Sequence, residues 1–352
     1  MSNSTFFNLQ VELNDICNLE CRHCYQVRAK NKEELDISLI LNQIDDLKKI
    51  TGFEKFFFRL SGGEATLRKD IFKVIREIIS QGHLVELMTN GMFLDLPFVY
   101  ALKSTGVNLC QFSMDGSNAQ IHEFIRGKGS YDKTIKGIKN LVKVGVPAEI
   151  KFTLIKGVNT NDIKGMFQLC NDLGVKHIAL ARFILAGNGI KNFTEGNLVG
   201  KEMQDVFYQI IEFGKEFPDL QIRVRDQLAR ILELEYHNIP ENVYVNQRPY
   251  VGLSYLAFDT YGNVYADRQL DISIGNIHEK SISDIWIKSD KLQNLKGNIS
   301  NLKGKCINCQ INNICMGGNK TASYALTGDP FTPDPGCWLY ENSSEKVLID
   351  SV

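Results

Sequence analysis

The strongest constraint on the fold is a repeated alternation of short apolar segments and amphipathic segments between residues 7 and 183. The repeat is close to the roughly 30 residues of a βα unit. Strands and helices that alternate in this way form a parallel sheet with helices on its outside. Because the pattern supplies fewer strands than a complete eight-stranded barrel needs, we expect a partial (β/α)6 barrel of the TIM type. The predicted strands cover residues 7–13, 55–61, 84–90, 108–115, 148–155 and 177–183.

The segments between these strands predict helices, and several of them end at a glycine, the residue favoured just past a helix C-terminus. The clearest predicted helices cover residues 70–82, 130–145 and 161–174. In barrels of this type the chemistry lies at the carboxyl ends of the strands. The residues that directly follow each strand are therefore the first candidates for a functional site.

The pattern changes beyond residue 184. A helix is predicted over residues 201–216, another near 226–236, and a hairpin around a glycine-containing turn at 255–267. A chain of 352 residues suits one large domain with a smaller one. We predict a barrel domain over residues 1–190, a helical bridging region over 191–250, and a small C-terminal domain over 251–352.

The composition is that of an ordinary soluble protein, with 43% hydrophobic residues, 23% charged residues and a formal charge of -1. This charge balance gives no indication of a nucleic-acid or bilayer-surface partner. The N-terminus lacks the pattern of a signal peptide, and no apolar run approaches the roughly 20 residues that span a bilayer. We expect a cytoplasmic protein with neither nucleic acid nor membrane as a partner.

Three cysteines, Cys17, Cys21 and Cys24, lie close together on the loop that follows the first predicted strand. The chain has nine cysteines, an odd number, and most of them fall into two tight groups, which favours thiolate ligation over disulfides. Three thiolates on a 4Fe-4S cluster leave one iron without a protein ligand, and that iron can bind another molecule. A zinc site completed by His23 or Asp15 is the alternative.

The motif C-x3-C-x2-C, with His23 in the usual aromatic position, resembles the signature of the radical S-adenosylmethionine (SAM) superfamily. The resemblance extends over residues 7–183, because SGGEA (61–65), TNG (89–91) and FSMDG (112–116) follow the second, third and fourth strands in the order of that family. It implies a 4Fe-4S cluster on the three cysteines, with SAM bound to it. The residues implied in SAM binding are His23, Gly62, Gly63, Glu64, Asn90, Ser113, Asp115 and Arg126.

The resemblance also implies a role for individual residues. The two glycines let the backbone approach a ligand closely, and Glu64 offers a carboxylate to the ammonium group of SAM. Ala65 stands where the family usually has proline, a small departure. Arg126 resembles a partner for the SAM carboxylate, although an arginine at such a place can equally be a solvated cation.

The activity that the resemblance implies is reductive cleavage of SAM to a 5'-deoxyadenosyl radical, which takes a hydrogen atom from an unactivated carbon. A flavodoxin- or ferredoxin-type protein is the expected electron donor.

A second cysteine group comprises Cys306, Cys309, Cys315 and the later Cys337. Four thiolates can complete a 4Fe-4S cluster with no open iron, and zinc fits the same spacing. The C-terminal motifs YLAFDTYGNVYAD, SDIW, CINCQINNIC and TGDPFTPDPGC, in that order, resemble a SPASM domain. The resemblance implies an auxiliary 4Fe-4S cluster held by this group.

Three positions depart from a full SPASM domain, in which cysteines hold two auxiliary clusters. Asp267, Asn319 and Gly252 stand where cysteines are expected, which implies that a single auxiliary cluster remains. Asp267 would then face the emptied site as a base or substrate ligand, and we name it as a catalytic candidate. The alternative is an aspartate in water at the end of a hairpin.

The remaining candidates are isolated cysteines and arginines. Cys110 and Cys170 are expected to pack in the core, because strand and helix periodicity turns them away from the site. Arg59 shares a strand face with Ser61, so it could line the cavity. Five further arginines could hold a substrate carboxylate or could be ion-paired: Arg182, Arg223, Arg225, Arg248 and Arg268.

The motifs are compatible with three functions. Most enzymes with a SPASM domain modify ribosomally made peptides or proteins by cross-linking, thioether formation or epimerisation, so the resemblance makes this the first expectation. Because the first cysteine loop begins at residue 15, a separate peptide-recognition protein would be required. The alternative is removal of side chains from a siroheme-derived tetrapyrrole in haem-type cofactor biosynthesis, which the C-terminal motifs resemble. The third is a non-catalytic iron-sulfur carrier or zinc-bound scaffold.

Overall fold

The computed structural model describes residues 6–26, 33–236, 238–245, 252–296 and 299–339. The described strands form one sheet of 11 strands in the order β11-β10-β9-β1-β2-β3-β4-β5-β6-β7-β8. Their bounds are β1 Phe7–Glu12, β2 Phe56–Ser61, β3 Leu84–Thr89, β4 Leu109–Ser113, β5 Ala148–Leu154, β6 His177–Arg182, β7 Gln221–Val224, β8 Val243–Tyr244, β9 Tyr255–Phe258, β10 Asn263–Tyr265 and β11 Ser273–Asn276.

Strands β1 to β8 are parallel to their neighbours, and β9 pairs with β1 in the same direction. The β9–β10 and β10–β11 pairs are antiparallel, so the predicted hairpin is present. All the strands predicted between residues 7 and 183 are found, with ends that shift by at most two residues. A partial TIM-type barrel with a C-terminal hairpin is therefore confirmed.

Most of the described helices lie between strands along the chain, and the last four follow β11. Their bounds are α1 Ser38–Leu41, α2 Ile44–Thr51, α3 Ile71–Ser80, α4 Leu96–Ser104, α5 Ala119–Arg126, α6 Ser130–Val144, α7 Ile163–Leu173, α8 Gly189–Asn192, α9 Gly200–Glu216, α10 Leu232–Glu235, α11 Ile282–Lys288, α12 Asp290–Leu295, α13 Asn312–Cys315 and α14 Lys320–Thr327. Short 3-10 turns include Ala65–Leu67 and Gln227–Ile231. None of the described helices combines the length and the apolar character needed to cross a bilayer.

The bridging region is not purely helical, contrary to expectation. Helix α9 matches the prediction, but β7 and β8 extend the parallel sheet beyond β6. With four and two residues, these strands are too short to produce a recognisable alternation in the sequence. The predicted helix near 226–236 is a 3-10 turn followed by the short α10. Arg248 lies outside the described residues, and the three-domain division stays a prediction.

The core lies between the sheet and the outer helices, and the C-terminal region is continuous with it. Cys110 and Cys170 are fully buried in this core, as predicted. The rings of Phe7 at the start of β1 and Trp286 of α11 pack edge to face, 5.2 Å between centroids. Because β9 also pairs with β1, the hairpin extends the barrel sheet and contributes directly to its inner wall.

Candidate active site

A cavity of about 830 Å³ opens at the carboxyl ends of the barrel strands. It brings together all three N-terminal cysteines and most of the residues that the sequence implied in SAM binding. Its lining includes Cys17, Cys21, Cys24, His23, Gly62, Gly63, Glu64, Asn90, Ser113, Arg126 and Asp267. These residues therefore share one cavity, and the role of each remains a prediction.

The structure shows why glycine is needed at the two positions after β2, a reason that could not be predicted from the sequence. The backbone that leads to Cys17 crosses directly over them, with Gly63 N donating to Asn14 O at 2.8 Å and Glu64 N donating to Ile16 O at 2.7 Å. A Cβ at Gly63 would lie 2.2 Å from Ile16 O. Glycine is required here because the cysteine loop packs against this backbone.

Glu64 is held by neutral donors. Its carboxylate is buried and accepts hydrogen bonds from the hydroxyls of Thr66 and Thr89, both at 2.6 Å, and from the backbone N–H of Asn90 at 2.8 Å. Asn90 in turn donates from its side chain to Asn18 on the cysteine loop, at 2.8 Å. Neutral donors orient a carboxylate without cancelling its charge, so Glu64 can still attract a cation such as an ammonium group.

Asp115 differs from expectation, because it lies behind the cavity wall and is not one of the lining residues. Its carboxylate lies 2.6 Å from Arg126 Nε and 3.1 Å from His23 Nε2. Burial alone would raise the pKa of Asp115, but the charges of Arg126 and His23 hold it well below its usual range. The geometry favours an indirect role, in which Asp115 positions two residues that do line the cavity. Since Arg126 is buried, its alternative interpretation as a solvated cation is wrong.

The first cysteine group has the features of a thiolate site. Burial raises the pKa of the Cys21 thiol to about 11, and the nearby Arg126 guanidinium opposes this rise. Arg126 Nη1 lies 3.8 Å from Cys21 Sγ. Among the described residues, no group of histidine, cysteine and carboxylate side chains converges on a single metal ion. Three thiolates that face one cavity, with a cation beside them, fit an iron-sulfur cluster, which places each thiolate on a separate iron.

The second group is also compact. Burial raises the pKa of Cys306 to about 12, and negative charge on Cys337, Cys315 and Cys309 adds to this effect, so the four sulfurs lie within electrostatic reach of one another. The backbone N–H groups after Cys315 hydrogen-bond to its sulfur and lower its pKa against the larger effect of burial. Donors of this kind are typical of the outer shell of a metal-bound thiolate, so the group fits a closed cluster.

Two of the positions where a SPASM cysteine was expected have other structural tasks. The Asn319 side chain caps α14 by accepting from Thr321 N at 2.9 Å. Gly252 has a positive φ of 73°, and a Cβ there would meet the side chain of Lys296 at 2.8 Å. The third position, Asp267, is half-buried in the cavity wall and accepts a hydrogen bond from Gln269 N at 2.9 Å.

Asp267 does not lie at a hairpin end in bulk water. Burial raises its pKa, and the backbone N–H groups of Gln269 and Leu270 oppose this rise. Burial also raises the pKa of Tyr255, and the charge of Asp267 is the next largest cause, so the two residues are neighbours. The catalytic role of Asp267 stays a prediction.

Arg182 is ion-paired, the second of the two alternatives that the sequence left open. Its Nε lies 2.7 Å from Asp226, and its Nη1 donates to Asp334 at 2.7 Å. All three side chains are almost fully buried. Asp334 also accepts from the backbone N–H groups of Asn319 and Gly336, at 2.6 and 2.8 Å. This buried triad of Arg182, Asp226 and Asp334 connects the end of β6 to the loop that precedes Cys337.

Four basic side chains line the same cavity: Arg59 of β2, Lys151 of β5, Arg223 of β7, and Arg225, which directly follows β7. We call these residues the cationic cluster. The sequence singled out its three arginines but missed Lys151, for which the signal was a lysine inside a predicted strand, two positions after Glu149. Arg268 is separate, since it pairs with Glu12 at 2.9 Å and stacks over the Tyr265 ring at 4.6 Å.

Comparison with known proteins agrees with the fold. Residues 11–170 match the model of the radical SAM superfamily, and residues 250–310 match the SPASM model, an iron-sulfur cluster-binding domain. The chain belongs to the radical SAM enzymes. More narrowly, it is a radical SAM enzyme with a C-terminal SPASM-type domain. Its cofactors are SAM and iron-sulfur clusters.

The curated relatives cover nearly the whole chain. An AdoMet-dependent heme synthase of Methanosarcina barkeri is 28% identical, over 93% of this chain and 94% of the relative. A pre-heme d1 synthase of Dinoroseobacter shibae is 25% identical, over 92% of this chain and 84% of the relative. The mycofactocin maturase MftC of Mycolicibacterium smegmatis is 24% identical, over 93% and 81%.

Solved structures share the fold. Streptococcus suis SuiB, bound to its precursor peptide SuiA, superposes with a TM-score of 0.73 at 14% identity, covering 94% of this chain and 75% of SuiB. The enzyme anSMEcpe with bound AdoMet gives a TM-score of 0.71 at 17% identity, covering 94% and 93%. At this identity the likeness speaks for the fold alone.

Proposed function

We propose that this enzyme uses SAM radical chemistry to remove side chains from a carboxylate-bearing, siroheme-derived tetrapyrrole in haem-type cofactor biosynthesis. The observation that carries the proposal is the shared cavity, in which the SAM-binding candidates and the cationic cluster line one space of about 830 Å³. That volume is near the upper end of the roughly 300–1,000 Å³ usual for small-molecule sites. Cations grouped on the wall of one cavity favour a substrate that carries several carboxylates.

The relatives support the same substrate class. A heme synthase and a pre-heme d1 synthase are similar to more than nine-tenths of this chain. From the sequence alone, peptide modification was the first expectation and the tetrapyrrole was the alternative. These relatives favour the tetrapyrrole. Modification of a ribosomally made peptide or protein is the second candidate, and the similarity to mycofactocin maturase favours it. A separate peptide-recognition protein would then be a partner.

The residues of the chain bind and orient in this scheme. When bound, the cluster on Cys17, Cys21 and Cys24 supplies an open iron for SAM and the electron that cleaves it. Glu64 holds the ammonium group, and Arg126, positioned by Asp115, holds the carboxylate. The barrel wall keeps water from the reactive radical.

We also propose a single auxiliary 4Fe-4S cluster, on the four C-terminal cysteines, because Asn319 and Gly252 serve structural tasks at two of the positions that a second cluster would use. The enzyme would work in the cytoplasm and receive electrons from a flavodoxin- or ferredoxin-type protein.

The test is anaerobic turnover followed by mass spectrometry. The reconstituted enzyme is reduced, given SAM, and offered either siroheme-derived tetrapyrroles or candidate precursor peptides. We expect a tetrapyrrole that loses carbon from its side chains in step with 5'-deoxyadenosine formation. A peptide that changes mass while every tetrapyrrole stays intact would establish the second candidate instead.

A further inference from the structure

The cationic cluster surrounds two carboxylates that are fully buried. Glu86 pairs with Arg59 at 2.5 Å, through Oε2 and Nε. Glu149 pairs with Arg223 at 3.0 Å and with Arg225 at 2.9 Å, using both of its oxygens. These three arginines are therefore already held in place by acids of the barrel.

Lys151 is different, because no hydrogen bond or ion pair joins its ammonium group to another residue in the part of the chain that the structure describes. It projects from β5 on the face that also carries Glu149 and Thr153, and it lines the cavity. Burial lowers its pKa well below the usual range, and the positive charges of Arg225 and Arg59 lower it further. Lys151 is half-buried, and a ligand that supplies the opposite charge would favour its ammonium form.

The acids nearest the cluster are taken up by its arginines. Glu86 pairs with Arg59, and Glu149 pairs with Arg223 and Arg225. No acid of the described residues forms an ion pair with Lys151, so the charged form of this lysine is favoured when a ligand supplies a negative charge. A ligand with carboxylate groups would complete the site.

Lys151 also lies next to the SAM wall. Its Cα is the partner of the Ser113 Cα in the adjacent strand β4, and both side chains line the cavity. Neighbouring strands are roughly 4.8 Å apart. A carboxylate held by Lys151 therefore carries its adjacent carbon atoms toward the part of the cavity where SAM is proposed to bind.

We propose that Lys151 is the substrate-carboxylate ligand of this enzyme and selects the side chain that is presented to the radical. The arginines of the cationic cluster support it by keeping the local potential positive. The identity of the substrate as a tetrapyrrole rests on the proposed function, but the binding of a carboxylate by Lys151 does not.

The test measures binding separately from turnover. The probe is a tetracarboxylic porphyrin, compared with the same porphyrin whose carboxylates have been converted to primary amides. Binding to the anaerobically reconstituted enzyme is followed by the change in the porphyrin absorption band. Lys151→Met is compared with Lys139→Met, which removes the same charge from the exposed surface of α6. Lys151→Arg serves as the conservative variant.

We expect the wild type and Lys139→Met to bind the acid porphyrin more tightly than the amide. A charge-assisted hydrogen bond corresponds to a factor of about 10 to 150 in affinity. Lys151→Met should lose that preference and Lys151→Arg should recover most of it, with iron content and SAM binding unchanged in both. Unchanged iron and SAM binding exclude misfolding as the cause.

Equal binding of the acid and the amide by the wild type would overturn the role of Lys151, as would unchanged acid binding by Lys151→Met. The two proposals can fail separately. If the acid binds through Lys151 but no tetrapyrrole is altered during turnover, the proposed function is wrong and the carboxylate site stands. If Lys151→Met converts a tetrapyrrole at the wild-type rate with the wild-type KM, the carboxylate site is wrong and the function stands.

Discussion

Replacement of Arg182 by methionine tests how the C-terminal cluster region is joined to the barrel. The guanidinium serves two carboxylates, Asp226 and Asp334, and each of the three side chains is at most 3% exposed. Methionine keeps much of the volume but leaves two buried acids without a cation. Breaking a buried pair in this way costs about 3–5 kcal/mol. Total stabilities are about 5–15 kcal/mol, so the variant should fold but with a small margin.

The loss of structure and of iron should be concentrated at the auxiliary cluster. Asp334 lies three positions before Cys337 and also holds the backbone N–H groups of Asn319 and Gly336. Without Arg182 we expect this loop to loosen and the auxiliary cluster to be lost. Iron should fall from about eight to about four atoms per chain, since each cluster contains four. The assay combines anaerobic urea unfolding with iron and sulfide analysis.

Asp226 provides the control and the pH dependence. Burial and the nearby Asp334 raise the pKa of Asp226, whereas Arg182 lowers it. Removing Arg182 raises this pKa further, so the folded variant binds a proton more readily than the unfolded chain does. Its destabilisation should therefore be largest at neutral pH and shrink as the pH falls through that raised pKa. Adding Asp226→Asn should restore part of the stability at neutral pH. A single variant that unfolds at the wild-type urea concentration and keeps all its iron would refute this reasoning.

Other substitutions test the SAM wall and Asp267. Gly63→Ala places a Cβ 2.2 Å from Ile16 O and should displace the first cysteine loop, so that about four irons are lost. Gly82→Ala has open space around its Cβ and carries only the αL cost of its positive φ, about 1 kcal/mol, so it should keep them. Equal iron in both would contradict the steric argument. Glu64→Gln keeps the shape of the side chain but removes the negative charge that is proposed to bind the SAM ammonium. SAM affinity, measured by equilibrium dialysis, should fall about tenfold or more while the iron content stays unchanged. Unchanged affinity would exclude the contact. Asp267→Asn should slow product formation in mass spectrometry without reducing SAM binding, and a wild-type rate would exclude a catalytic role.

Much of the barrel could be predicted because its signal is local. Each strand from β1 to β6 is a short segment rich in apolar residues, and amphipathic segments that form helices lie between them. Strands β7 and β8 were missed because two to four residues carry no periodicity, and their position is decided by pairing with β6. Pairing across the sheet also decided that the hairpin joins β1.

The site was predictable where a motif carried the chemistry. The first cysteine group, Glu64 and Ser113 could be placed at one cavity because their motifs follow or end predicted strands. The place of Asp115 behind the cavity wall could not be predicted because His23, which covers it together with Arg126, comes from a distant part of the chain. The triad around Arg182 was invisible for the same reason, since its acids lie 44 and 152 positions away. Long-range ion pairs leave no periodic signal in a sequence.

The most direct test of the account compares the wild type with a variant in which Cys17, Cys21 and Cys24 are all alanine. Both are reconstituted without oxygen, reduced and given SAM, and 5'-deoxyadenosine is measured beside iron and sulfide. We expect the wild type to form 5'-deoxyadenosine, and the variant to form none while it keeps the iron of its C-terminal group. A wild type that leaves SAM intact under reduction, or a variant that cleaves it at the same rate, would contradict the assignment.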